Sequence, residues 1–191
     1  MRLADMKTIA TALEGLLVLE PKVFEDARGY FLETYHGLRY RDCGVVTNFV
    51  QDNLSFSKKD TLRGLHFQIA QPQAKLVQVI TGEIFDVAVD IRTGSATFGK
   101  WAGIVLSEKN KRQLLVPEGF AHGFCVLSNT AHVAYKCSAY YDPAHEGGIR
   151  WSDPDIGIEW PVKNPILSDK DSRLPHLSEL TAAQLCSGKP L

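Results

Sequence analysis

The chain has 191 residues, 45% of them hydrophobic and 23% charged, the proportions of an ordinary globular protein long enough to bury one substantial core. A formal net charge of -1 excludes long-range attraction to nucleic acid or to an acidic membrane surface and leaves any anion binding to local basic groups. No apolar run approaches the roughly 20 residues that span a bilayer, and Asp5, Lys7 and Glu14 interrupt the opening segment where a signal-peptide core would lie.

One domain over residues 1–191 is therefore expected, in the cytoplasm, acting on a small molecule. From Leu16 onward short strand-like runs alternate with turn signals and helical periodicity is nearly absent, the pattern of an all-β fold. Strands are expected at 15–19, 29–35, 49–56, 62–68, 75–80, 84–91, 101–106, 112–116, 123–127 and 131–141. In 84–91, Phe85, Val87, Val89 and Ile91 form one apolar face while Asp86, Ala88 and Asp90 point to the other. Thr81-Gly82-Glu83 precedes this run and Arg92-Thr93-Gly94-Ser95 follows it, both with turn composition. So many short strands indicate a double-sheet barrel. Beyond Pro143, the aromatic and proline-rich stretches 149–154 and 158–161 read as an ordered cover, and 177–186 as a short terminal helix. Cys43, Cys125, Cys137 and Cys186 have no C-x-x-C spacing and read as free thiols.

The run Leu62-Arg63-Gly64-Leu65-His66-Phe67-Gln68, followed by Lys75, places three basic side chains in segments that otherwise read as buried strand. Histidine exchanges protons near neutrality, and lysine and arginine supply positive charge for an oxyanion or a phosphate. The ordinary alternative is a core histidine whose hydrogen bonds are satisfied. Gly64 leaves room beside His66 for a ligand or another backbone. Regular alternation puts Arg63 on the opposite face from His66, so a shared ligand requires twist, a bulge or a rim position. Asp86, Asp90, His66, Lys75 and Tyr135 all stand opposite aliphatic positions. They fit a polar barrel interior that holds one small ligand at its mouth, and they fit equally the water-facing side of a sandwich.

Small barrels that bind a metal carry two histidines separated by one residue, a glutamate shortly after and a third histidine later. Here His66 is followed by Phe67-Gln68, and His122 alone does not hold a divalent ion against water. No metal is expected.

Several segments carry a closer likeness: Phe24 to Glu33, Gln51-Asp52-Asn53, the Leu62 to Gln68 run with Lys75, Phe85 to Arg92, Pro117 to Phe124, Tyr135-Lys136 with Tyr140-Tyr141, and Leu167-Ser168-Asp169-Lys170-Asp171. In order and spacing, over about residues 15–177, they resemble the dTDP-4-dehydrorhamnose 3,5-epimerase family of the cupin superfamily. Departures are confined to 69–74, the leading residues and the tail beyond Leu177. The resemblance implies a cupin-type double-stranded β-helix, or jelly-roll, barrel with short C-terminal helical segments, no cofactor, and a homodimer that exchanges strands, with 15–19 as a contributor.

The implied reaction takes dTDP-4-dehydro-6-deoxy-D-glucose to dTDP-4-dehydro-L-rhamnose by removing and returning protons at C3 and C5, the two carbons acidified by the C4 ketone. By the family pattern His66 is the base, Asp171 holds its imidazole, Lys75 stabilises the enolate oxygen and Tyr135 returns a proton from the opposite face. Arg28, Arg63 and Lys170 match nucleotide-sugar contacts, as do Glu33, Gln51, Asn53, His122 and Glu146, while Phe31 and Tyr141 could stack on the thymine. The ordinary alternatives are a surface pair between Arg28 and Glu33, and core packing for Phe31 and Tyr141. A monofunctional 3- or 5-epimerase or a 3,4-ketoisomerase is the runner-up, and Tyr135 argues against it. A non-catalytic sugar-nucleotide binding module would need Arg28 and Arg63 but neither His66 with Asp171 nor Tyr135. The missing ligand pair predicts that dialysis against a strong chelator leaves turnover unchanged; a loss restored by zinc, iron or manganese would overturn that expectation.

Overall fold

The computed structural model describes residues 6–185, and in it the period-two patterning becomes thirteen strands among the described residues. They are β1 (Lys7–Ala10), β2 (Leu17–Glu20), β3 (Val23–Asp26), β4 (Gly29–Leu32), β5 (Gln51–Lys58), β6 (Leu62–Gln68), β7 (Lys75–Thr81), β8 (Glu83–Asp90), β9 (Trp101–Ser107), β10 (Gln113–Val116), β11 (Phe120–Val126), β12 (Thr130–Cys137) and β13 (Glu146–Gly148), with a short helix α1 (Gly37–Asp42). One sheet runs β1-β2-β10-β7-β12-β5, a second runs β13-β6-β11-β8-β9, and β3 with β4 forms a separate hairpin. The two larger sheets face each other as a cupin-type jelly roll.

Alternation decides which side chains meet between the sheets. Val18, Leu114, Val116, Val77, Val79 and Val133 project inward from the first sheet onto Ile84, Ala88, Leu106, Phe124 and Val126 of the second. The outer face of the first sheet carries Leu19, Leu76 and Leu115 under Tyr40 and Val45. The outer face of the second carries Leu65, Val87, Val89, Ile91 and Ala121 under Ile149, Ile156 and Leu177. Strand β8 is thus buried on both faces, so Asp86, on the same side as Ile84 and Ala88, points into the barrel. Of the two readings left open by the pattern, the polar interior is the one the chain adopts.

The expected cover exists and is fastened in several places. Trp160 Nε1 donates to the Trp151 carbonyl at 2.8 Å, Phe85 meets the Trp160 ring edge-on, and Leu62 N–H donates to the Ile166 carbonyl at 3.0 Å. Other expectations need correction. The run 177–186 forms two separate 3-10 turns, Leu177–Glu179 and Ala182–Gln184, rather than one helix, and Cys186 lies outside the described residues. The 29–35 strand stops at Leu32, 131–141 stops at Cys137, and β11 begins at Phe120, three residues before its expected start. Strand β2 is hydrogen-bonded on both sides within the chain, by β1 and by β10. Strands β1, β3 and β13 and helix α1 were not expected; each spans six residues or fewer, too few to show a period.

At the end of β8, the fully buried Asp90 carboxylate accepts from Arg92 Nε at 2.9 Å and Nη2 at 2.8 Å, and from the Ser95 and Thr97 hydroxyls at 2.6 Å each. Burial alone would raise its pKa, but these donors outweigh burial and bring it down to about 2. A carboxylate whose folded pKa lies below its unfolded value stabilises the fold above the unfolded pKa and loses that contribution as pH falls through the folded one. Urea titrations should therefore show the stability gap between wild type and Asp90→Asn shrinking by about 2 kcal/mol between pH 5 and pH 2. A gap that stays constant with pH would refute the assignment.

Candidate active site

At one end of the barrel the inward positions turn from aliphatic to polar. Register places Tyr135 opposite Asn53 and Cys137 opposite both Gln51 and Lys75; directly cross-strand residues share a face, so all five point inward. From the other sheet, His66 on β6 and His122 on β11 are register partners. Between the sheets lie two cavities of about 260 Å³ each, both lined by His66, Lys75, Tyr135, Tyr141 and Glu146. Gln51 and Asn53 extend the first, and Arg63, His122, Lys170 and Asp171 extend the second.

Arg63 reaches this space because β6 is bulged. His66 pairs with His122 and Arg63 with Phe124, so three steps on β6 match two on β11, and residues 63 and 66 come to the same side. The extra residue is Gly64, at φ +115. A Cβ there would lie 2.6 Å from Gly123 Cα and 2.7 Å from the His122 carbonyl oxygen, so the glycine serves close backbone approach rather than ligand access. Arg63 Nε donates to Ser57 Oγ at 2.9 Å and its Nη2 to the Phe56 carbonyl at 3.2 Å, which fixes the guanidinium.

His66 Nε2 lies 2.6 Å from Asp171 Oδ1. The carboxylate is nearly buried while the imidazole stays 26% exposed, so Nδ1 is the ring nitrogen left free of Asp171. Burial would raise the Asp171 pKa, but the His66 contact, the Gly64 N–H and the Ser168 hydroxyl outweigh it and hold the group below its ordinary value. An ionised carboxylate thus stands behind the histidine.

Lys75 forms no hydrogen bond or ion pair among the described residues, and burial lowers its pKa against the pull of Cys137, Asp86 and Glu146. A cation so poorly solvated favours any anion brought beside it. Tyr135, on the opposite sheet from His66, has its pKa raised chiefly by burial, so its phenol keeps its proton at neutral pH and is fit to donate it. At the rim, Glu146 accepts from Lys170 Nζ at 2.7 Å and from the Tyr141 hydroxyl at 2.8 Å. Behind the site, His122 Nε2 meets Asp86 Oδ1 at 2.6 Å.

Eleven of the fourteen residues singled out from the sequence therefore line one space, whereas Arg28, Phe31 and Glu33 do not. Arg28 and Phe31 belong to the β3–β4 hairpin around a hollow of their own. Arg28 pairs with Asp26 at 2.6 Å, not with Glu33, and Glu33 pairs with Arg39. Core packing does not describe Phe31, which is 70% exposed, or Tyr141, at 48%. Gln73, Cys137 and Ser168 line the space without having been assigned to it. Cys137 read as a small hydrophobe, although its alternation with Tyr135 gave its direction. Ser168 lay within the Leu167 to Asp171 segment but carried no signal of its own.

The family model for dTDP-4-dehydrorhamnose 3,5-epimerase matches residues 10–179. The enzyme of that name from Shigella flexneri is 55% identical over 168 residues, 87% of this chain and 93% of its own; that from Methanothermobacter thermautotrophicus is 50% identical, covering 93% and 97%. The crystal structure of the dTDP-6-deoxy-D-glucose-3,5-epimerase of Legionella pneumophila with dTDP-4-keto-L-rhamnose superposes with a TM-score of 0.94 at 48% identity, covering 97% of this chain and all of that one. A dTDP-4-dehydrorhamnose 3-epimerase from Streptomyces niveus is more distant, at 39% identity over 94% of this chain and 88% of its own. With the barrel, the cavity and these likenesses in agreement, the chain belongs to the dTDP-4-dehydrorhamnose 3,5-epimerase family.

Proposed function

We propose that this isomerase converts dTDP-4-dehydro-6-deoxy-D-glucose to dTDP-4-dehydro-L-rhamnose with His66 as base, Lys75 as enolate stabiliser and Tyr135 as acid. The observation that carries the reading is that His66, backed by Asp171, and Tyr135 stand on facing sheets of one cavity whose wall also carries Lys75, which is without a hydrogen bond or ion pair among the described residues. His66 takes the proton from a carbon beside the ketone, and the C–H electron pair moves to the C4 oxygen. The resulting enolate lies against the Lys75 ammonium, a contribution of about 3 kcal/mol for comparable oxyanion donors. Tyr135 then protonates the carbon from the other face and the ketone reforms, inverted at that centre; His66 is left protonated and Tyr135 as its phenolate, and proton exchange with solvent restores both before the second carbon is inverted. Each proton-transfer group contributes about 10²–10⁴-fold. Asp171 keeps the imidazole oriented and stabilises its protonated form.

Arg63 and Lys170 suit the diphosphate, and Gln51, Asn53, His122 and Glu146 the polar groups of the sugar and base. Arg28 and Phe31 are assigned to the site across a homodimer, each hairpin serving the partner's cavity. The exposed Phe24, Tyr30 and Phe31 of the hairpin, and Leu54, Phe56 and Ile80 on the outer face of the first sheet, support that assembly. A cytoplasmic setting fits the free thiols of Cys43, Cys125 and Cys137. Single inversion at C3 is the second reading. The 55% identity to a 3,5-epimerase against 39% to a 3-epimerase favours double inversion.

Incubation with the 4-keto sugar nucleotide in deuterated water should place label at both C3 and C5. Label at one carbon would identify a monoepimerase, and none would leave a binding module. His66→Ala should abolish exchange at both positions, with Asp171→Asn severe but milder; near wild-type exchange in His66→Ala would mean the base is another group.

Tyr135→Phe removes a hydroxyl while its ring fills the same space. Deuterium uptake should persist, because His66 still abstracts, while the doubly inverted sugar forms at least about tenfold more slowly. A Tyr135→Phe enzyme that inverts both centres at the normal rate would reassign the acid.

A further inference from the structure

Asp171 has to hold the histidine from a poor support. It opens a 3-10 turn of three residues, Asp171–Arg173, and one such turn cannot satisfy its own leading N–H groups. The Asp171 N–H is donated to Ser168 Oγ at 3.1 Å, while the Ser168 carbonyl accepts from Ser172 N–H at 3.0 Å. The serine therefore closes the turn from both its side chain and its backbone, as serine does where a chain reverses locally. Its side chain also stands on the wall of the cavity that holds Arg63, His66 and Lys170, and it is an exposed residue rather than part of the packed cover.

We propose that Ser168 is a positioning residue for the epimerisation: its hydroxyl, by accepting the Asp171 N–H, fixes the carboxylate that orients His66. This rests on the assignment of His66 as base. The other hydrogen bond to the Asp171 carboxylate besides His66, from Gly64 N–H, is long at 3.5 Å. The bond from Leu174 N–H to the Asp171 carbonyl is also 3.5 Å, so the serine bond is the shortest of the contacts, apart from His66, that restrain this residue. It also contributes to keeping Asp171 ionised.

The test compares Ser168→Ala and Ser168→Thr in the full-length enzyme, by kcat, KM and deuterium wash-in on the 4-keto sugar nucleotide. Ser168→Ala should lower kcat about fivefold to tenfold, the scale of one hydrogen bond, with KM changed less than about twofold. Ser168→Thr, whose hydroxyl can accept the same bond, should stay within about threefold of wild type. Introduced into Asp171→Asn, where the ionised carboxylate is already gone, Ser168→Ala should cost less than about twofold more. Normal kcat in Ser168→Ala, equal impairment of the alanine and threonine variants, or a raised KM with unchanged kcat would each overturn the proposal. So would an undiminished alanine effect in Asp171→Asn, or an alanine variant that does not fold, which would put the serine in the fold rather than the site. His66→Ala, assayed alongside, separates the two ideas: an active His66→Ala enzyme overturns the base assignment, whereas an inactive one beside a normal Ser168→Ala overturns only the role of the serine.

Discussion

The contact between His66 and Asp171 joins residues 105 positions apart, and most of the architecture can be traced to holding it. His66 belongs to a strand inside the second sheet, and Asp171 to a cover with little regular structure. A 2.6 Å contact between them requires the cover to sit on the barrel with the accuracy of a core. That accuracy comes from apolar burial: Ile149, Ile156 and Leu177 press on Leu65, Val87 and Val89, and each such side chain contributes about 1.5–3 kcal/mol when fully buried. Backbone bonds from Leu62 to Ile166 and between Leu65 and Ile149 tie the cover directly to β6, the strand that carries the histidine.

The same strand shows how local geometry is adapted to chemistry. A regular β6 would present Arg63 and His66 on opposite faces. The additional residue at Gly64 turns both toward the cavity, and it is accommodated because Gly64 and Gly123 lack side chains where the two backbones nearly touch. The outward positions Leu65 and Phe67 meanwhile keep their places in the core. A bulge thus gathers two functional groups without breaking the apolar face behind them.

Much of this was legible in the sequence. The alternation of 84–91, the polar residues opposite aliphatic ones and the aromatic cover each correspond to an observed layer, because burial imposes a period of two on strands and leaves a visible pattern. The proximity of His66 and Asp171 has no period to betray it, and it entered through family likeness alone. What stayed hidden is what depends on few residues or on distant contacts. Helix α1 is six residues long, too short for a stripe, and its Tyr40 is buried through contacts with Thr34 and Gln113 that no local rule anticipates. The alternative of a surface pair for Arg28 named Glu33, which looks equivalent in one dimension, whereas the tight turn between β3 and β4 brings Asp26 to it instead.

The barrel divides its interior between two kinds of stability. Its aliphatic end is packed by residues such as Val77, Val133 and Leu114, all without exposure, and nothing there needs a partner. Its polar end carries Lys75 without a hydrogen-bonding partner among the described residues and one Asp86 oxygen buried without a donor. The Asp86 oxygen is unfavourably placed, since a buried polar group left unmatched costs about 1–3 kcal/mol, while Lys75 is half-buried and burial lowers its pKa. In the proposed reaction an enolate, with more charge on oxygen than the ketone it comes from, gains more from a poorly solvated ammonium at Lys75 than the ketone does. On the proposed assignment Lys75 thus favours the intermediate more than the substrate, which is the condition for a binding interaction to accelerate a reaction rather than merely tighten a complex.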